Sequence, residues 1–141
     1  MTLGYEITQE AVRIAEESGD IYSKAVAYVW HGSFCYGKGL LEESEKNLLK
    51  GTEFCERIDL HSRNGASQLW LALTYFEMGD FSRSKKHCEK AISIYEDTRL
   101  CPSWRNFEKV MLARLELTNK EKDVDLESLY AYSRNINLKP A

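Results

Sequence analysis

The chain has 141 residues and a mass of 16.3 kDa, enough for one domain or a short run of stacked units with a sizeable core. Ala, Glu, Lys, Leu and Arg fill 61 of the 141 positions and the two prolines stand at 102 and 140, so a mostly helical protein is expected. A net charge of −3 and a pI near 5.7 argue against a strongly basic nucleic-acid binder. The longest charge-free stretch, 25–37, is too short to cross a bilayer, and Glu6, Glu10 and Arg13 interrupt any signal-peptide apolar core. Four cysteines (35, 55, 88 and 101) form no C-x-x-C pair, which implies reduced thiols in a cytoplasmic protein.

Helical spacing begins at Glu6 and runs to Ser18, where Gly19-Asp20 closes it. A helix is expected from about Tyr22 to Tyr36, a break over Gly37 to Gly39, and a helix from about Glu42 to Arg57. Between Ser62 and Met78 the residues Ala66, Leu69, Leu73 and Phe76 mark one stripe, widened by Trp70 and Leu71. Gly79-Asp80 ends that helix, because glycine readily takes the left-handed conformation of a C-cap. The next helix, Ser82 to Tyr95, turns Ser84, Cys88, Ala91 and Tyr95 inward and Arg83, Lys86, His87 and Lys90 outward. Trp104 to Leu117, a loop over 118–123 and Leu126 to Arg134 complete a count of seven helices.

A shift of 40 residues superimposes these elements. It aligns Trp30 with Trp70, Gly32 with Ala72, Cys35 with Tyr75, Gly39 with Gly79, Ser44 with Ser84, Leu48 with Cys88 and Gly51 with Ala91. Small residues fall on small ones, and Gly32/Ala72 and Gly51/Ala91 read as sites where antiparallel helices approach closely. The chain is thus expected to be one domain over 1–141: half a repeat over 5–18, then repeats over about 22–57, 62–96 and 103–134. A helix pair cannot bury its stripe alone, so successive pairs stack and share a core.

Ala72, Tyr75, Gly79-Asp80-Phe81, Ser84 and Ala91 hold, in order, the positions of the tetratricopeptide repeat (TPR) grammar. Gly32, Cys35, Gly39, Leu41, Ser44 and Gly51 follow it more loosely, and the chain resembles that family. The resemblance implies an all-α fold, a short right-handed solenoid of antiparallel helix pairs. The 40-residue period is longer than the roughly 34 usual for this repeat, and it is close to that of HEAT repeats, the competing solenoid. The Gly-Asp-Phe turn favours the tetratricopeptide reading. Stretched units of this kind resemble those appended to bacterial signalling ATPases, nucleotide cyclases and maltose-activator-type regulators. That likeness implies an accessory sensing or docking region cut from a longer protein, in agreement with the unpaired opening helix. The family's carboxylate clamp needs an Asn in the column of Trp30, Trp70 and Val110, so that activity is not expected.

Candidate chemistry is sparse. His31 and Cys35 are spaced i, i+4 and present two potential metal donors, but a soft-metal site needs about four, with Cys55 and His61 the only others nearby. Cys35 fills the column of Tyr75 and is expected to pack in the core, with no metal and no cofactor. His87 and Cys88 are adjacent and point about 100° apart on a helix, so they form no nucleophile–base pair. No Walker A, G-x-S-x-G or G-x-G-x-x-G occurs, and Glu16-Glu17 and Glu42-Glu43 read as solvated acids. The expectation is a non-catalytic protein.

Partner binding has the better claim. In the resembling family the first helix of each pair lines the concave side. By column the projecting residues are Val29, Ser33 and Tyr36, then Leu69, Leu73, Phe76 and Glu77, then Asn106, Lys109 and Ala113. They describe an apolar groove with a polar end, suited to a protein or peptide segment rather than to nucleic acid or membrane. Two rival roles are self-association through exposed solenoid ends, giving a homo-oligomer, and sensing of a small ligand.

Overall fold

Six helices of nearly equal length follow one another: α1 (Thr2–Ser18), α2 (Ile21–Gly37), α3 (Leu41–Arg57), α4 (His61–Glu77), α5 (Phe81–Thr98) and α6 (Pro102–Thr118). The computed structural model describes residues 2–98 and 102–118 together with Glu127 and Ala131; of Thr2 and 102–108 it describes the backbone alone. There is no strand among the described residues. The expected seventh helix, over 126–134, lies outside them except for Glu127 and Ala131, both helical. Helix α1 begins four residues earlier than the spacing predicts. Gly4 does not break it, because its bare Cα faces Phe34, whose ring a Cβ would meet at 2.2 Å.

The 40-residue register is visible atom by atom. Helices α2 and α4 end in the same motif, with Gly39 and Gly79 left-handed at φ 77° and 78°. Leu40 N and Asp80 N donate to the carbonyls of Cys35 and Tyr75, both at 2.9 Å, and Gly39 N and Gly79 N to those of Tyr36 and Phe76. These bonds satisfy carbonyls that a helix end otherwise leaves orphaned. One turn later Ser44 Oγ donates to Gly32 O at 2.9 Å, and Ser84 Oγ donates to Ala72 O at 2.6 Å. Each buried serine thus pins its second helix to the backbone of the first.

Every helix packs on its chain neighbour, and α2 also reaches α4. At the first hairpin Gly32 lies under Leu48, while Gly51 lies under Val29 and Tyr28. Gly51 and Ala91 occupy the same step of α3 and α5, and both are buried. Between the two hairpins Ser67 Oγ donates to Leu48 O at 3.0 Å and meets Thr52 Oγ1 at 2.8 Å, while Thr74 reaches Ser44 at 3.1 Å. The core thus carries one satisfied serine within each hairpin and further satisfied hydroxyls between the hairpins.

The turn between α3 and α4 repeats the capping geometry with a poorer residue. Asp59 sits at φ 53° where the sister turns carry glycine, and Leu60 N donates to Cys55 O at 2.9 Å. A side chain there has little to contact, since Asp59 is exposed. Asp59→Gly is expected to stabilise the fold by a few tenths to about 1 kcal/mol, by relieving the left-handed strain. Urea denaturation of the two proteins checks this.

Candidate functional site

The sequence-expected groove is only partly open. Val29 is buried inside its hairpin with Phe54 and Cys55, and Leu69, Ala113 and Ser33, whose Oγ donates to Trp30 O, are buried as well. Tyr36 is half-buried with its ring 5.5 Å from that of Trp70. Leu73 and Phe76 pack against the cluster that contains Met111 and Leu115 of α6, and Arg114 lies 4.6 Å over the Phe76 ring. Glu77 is exposed, Lys109 pairs with Glu96 at 3.2 Å, and the Asn106 side chain lies outside the described residues. These residues largely join one first helix to the next, and the aromatic ones act as the seam.

The open apolar surface lies one step earlier, between α1 and α2. A cleft of about 490 Å³ is lined by Ala11, Ile14, Tyr22, Val26 and Trp30. Ile14 is 54% exposed, whereas Phe54, forty residues on, is 8% exposed because α2 covers it. Leu3 and Ile7 continue the stripe along α1, also exposed. Within the chain the two equivalent clefts are filled: α2 lies against α3 and α4, and α4 shares one core cluster with α5 and α6. Among the described residues no helix takes that position over α1 and α2. The Leu3, Ile7, Ala11, Ile14 spacing was present in the sequence but carries no weight until no described helix is seen to cover it.

A second convergence lies on the other side of α1. His31 Nε2 stands 3.7 Å from Cys35 Sγ and 3.6 Å from Glu43 Oε1, with both His31 and Cys35 buried. Tyr5 OH donates to Glu43 Oε1 at 2.8 Å, and Thr8 Oγ1 lies 3.0 Å from His31 Nδ1. Burial lowers the His31 pKa despite the neighbouring Glu43 carboxylate, and it pushes the Cys35 thiol up to about 11. The expected i, i+4 pair is therefore real. Glu43 joins it because the α2–α3 hairpin register, set by Ser44 on Gly32, brings position 43 beside position 31.

Two features expected at the surface lie there and are ion-paired as well. Glu16 accepts from Tyr28 OH at 2.7 Å and pairs with Lys24 and Lys50, and these bonds hold its carboxyl down at about 2. On α5 the cationic stripe faces α3: Arg83 meets Glu45 at 3.0 Å and Lys90 meets Glu56 at 2.7 Å. His87, expected outward with these cations, is half-buried instead. It stacks 5.2 Å from the Tyr75 ring, and its Nδ1 donates to Gln68 Oε1 at 2.7 Å. The stripe is thus spent largely on the neighbouring hairpin, and nothing in it marks a nucleic-acid surface. No helix among the described residues is long and apolar enough to cross a membrane.

Residues 66–98 match the family model described as a tetratricopeptide repeat. The chain carries a tetratricopeptide repeat. The match spans most of α4 and all of α5, the hairpin whose Gly79-Asp80-Phe81 turn and Ser84 clamp were described above. Such repeats serve protein–protein association. No curated protein and no solved structure matches the chain.

The matched repeat contains its own acid-sensitive group. Burial, and then the charges of Lys86, Lys90 and Arg83, hold the His87 pKa down at about 4. An unfolded imidazole protonates near pH 6.5, so between pH 6.5 and 4 the unfolded chain binds more protons and stability falls as pH falls. Partial solvent contact limits the loss to about 1–2 kcal/mol by pH 5. Thermal unfolding at stepped pH checks this. The wild type is expected to lose stability over that window, and His87→Asn to lose about that much less.

Proposed function

We propose that the protein is a non-catalytic docking scaffold, and that the cleft between α1 and α2 receives an amphipathic helix from a partner protein. One observation carries the reading: Ile14 and Trp30 stand exposed in columns that elsewhere in the chain a neighbouring helix covers. The occupant's shape follows from the columns that face it. Thr8 and Ala11 match Cys88 and Ala91 of α5, which receive α4 through Ala72 and its flanking apolar residues. A helix with a small residue at mid-length and apolar neighbours at i+3 and i+4 fits the same way. The sequence-expected groove adjoins this cleft, and its accessible members, Tyr36, Leu73, Phe76 and Glu77, extend the docking path along the first helices. The long period and its likeness to accessory regions of signalling proteins support the reading of a docking part rather than a catalytic unit.

A peptide spanning residues 61–77, the helix that fills the equivalent cleft between α5 and α6, is the direct probe. Calorimetric titration into the whole protein is expected to give saturable binding that Ile14→Glu weakens about tenfold or more, with folding unchanged because Ile14 is exposed. Equal binding by the variant, or no saturable binding, contradicts the assignment of this cleft. Sedimentation of the free protein separates the self-association reading: a dimer that Ile14→Glu dissolves would make a second copy the occupant.

A further inference from the structure

Position 31 and position 35 depart from the repeat's own grammar. Their counterparts in the second hairpin are Leu71 and Tyr75, a buried apolar residue and a buried phenol whose OH reaches Glu45. The first hairpin instead buries an imidazole and a thiol, and α1 inserts Tyr5 against the imidazole with ring centroids 4.9 Å apart. A thiol packs in a core as Cys55 and Cys88 do, but packing alone does not explain the imidazole. Burying a histidine where the sister unit holds leucine costs desolvation that a purely structural position avoids.

Thr8 Oγ1 has one proton and lies within hydrogen-bond reach of the carbonyls of Gly4 and Tyr5, at 2.9 and 3.0 Å. When that proton goes to a carbonyl, Thr8 accepts from an Nδ1–H of His31, and in this tautomer Nε2 presents a lone pair. That lone pair, the Cys35 sulfur and the Glu43 oxygen all lie within 4.8 Å of one another. Three donors converge on one point, and each has an outer partner or a rigid base: Thr8 behind the imidazole, Tyr5 behind the carboxylate, the helix backbone behind the thiol. Outer contacts of this kind orient the ligands of metal centres.

We propose that His31 Nε2, Cys35 Sγ and Glu43 Oε1 form a binding site for a zinc-class divalent ion, with water in the fourth position. Metal–ligand bonds of about 2.0–2.3 Å at tetrahedral angles put N and O about 3.3 Å apart and N and S about 3.6 Å apart. The two His31 separations, 3.6 and 3.7 Å, reach those values with shifts of a few tenths of an ångström, and Cys35 Sγ and Glu43 Oε1, up to 4.8 Å apart, close by about 1 Å through rotation of the half-exposed Glu43 side chain. An imidazole, a thiolate and a carboxylate suit zinc better than magnesium or calcium, which prefer all-oxygen shells. Binding moves the Cys35 proton to solvent, and one thiolate and one carboxylate then balance the 2+ charge, so the buried site is neutral overall. The ion and its water have a route, since His31 and Glu43 also line a solvent-connected cleft of about 330 Å³. Because the outer partners Tyr5 and Thr8 belong to α1, the ion ties that helix to α2 and α3.

Cobalt(II) titration of the whole protein, kept reduced by a phosphine, tests the site. One equivalent is expected to produce thiolate-to-cobalt charge transfer in the near ultraviolet and intense visible bands of a tetrahedral ion, both abolished by added zinc. Cys35→Ser is expected to remove the charge transfer while far-ultraviolet dichroism stays helical. Glu43→Gln, at a half-exposed position where folding is not at risk, is expected to weaken zinc binding tenfold or more. Tyr5→Phe retains all three donors and is expected to cost about 10–100-fold in affinity, as loss of an outer contact does. No charge transfer in the wild type, an unchanged band in Cys35→Ser, or unchanged zinc affinity in Glu43→Gln each overturns the proposal.

Discussion

The separation of α2 from α3 is set at Gly32 and Gly51, where each helix presents bare backbone to a side chain of the other. A Cβ at Gly32 would stand 2.6 Å from Leu48 Cγ and 3.1 Å from Leu48 N, and one at Gly51 would stand 2.8 Å from Val29 Cγ2. Such contacts leave no room for a methyl group without a shift of side chain or backbone. The second hairpin solves the same problem with the volumes exchanged. Gly32 faces Leu48, whereas Ala72 shares its cluster with Cys88; Ala25 shares a cluster with Cys55, whereas Gly65 lies under Tyr95. At these two pairs the helix that gains a methyl faces a residue with less bulk. Interiors packed to crystal-like density permit this trade and few others.

From that constraint the rest of the molecule follows. Close hairpins let Ser44 and Ser84 reach across to backbone carbonyls, which fixes the register of α3 on α2 and of α5 on α4. A fixed register stacks equivalent faces, so α3 receives α2 as α5 receives α4. The face of α1 that has no such neighbour among the described residues is apolar and open there, and Ile14 and Trp30 mark it. The same hairpin register delivers Glu43 to His31 and Cys35. Both proposed sites follow from one geometry: the proposed docking cleft lies where no described helix covers α1 and α2, and the donor cluster where the first hairpin departs from the repeat's sequence.

Much of this was legible in the residues. The 40-residue columns gave six helices within a few residues of their ends, because the glycine turns and the small-residue positions are local signals. The start of α1 escaped, since glycine has low helix propensity and Phe34, which packs on Gly4, is remote in sequence. The groove residues were less legible. Periodicity says that Val29 and Leu69 sit on the apolar side of their helices, but not whether that side meets the core or a ligand; the structure buries both and packs Val29 inside its hairpin. His87 misled for the opposite reason: it lies among Arg83, Lys86 and Lys90 in sequence, yet the ring of Tyr75 and the amide of Gln68 come from another helix. Helical spacing defines faces, and only tertiary packing decides what each face touches.

The exchange of volume across the hairpin is open to direct measurement through a double-mutant cycle on Gly32 and Leu48. Gly32→Ala alone is expected to cost about 1–3 kcal/mol by overpacking, and Leu48→Cys alone about 2–3 kcal/mol by leaving a void. The double variant rebuilds the Ala72/Cys88 pairing of the second hairpin. Denaturant unfolding is expected to show it at least 1 kcal/mol more stable than the sum of the single changes allows. Costs that simply add, to within about 0.5 kcal/mol, would contradict the claim that these two positions share one space.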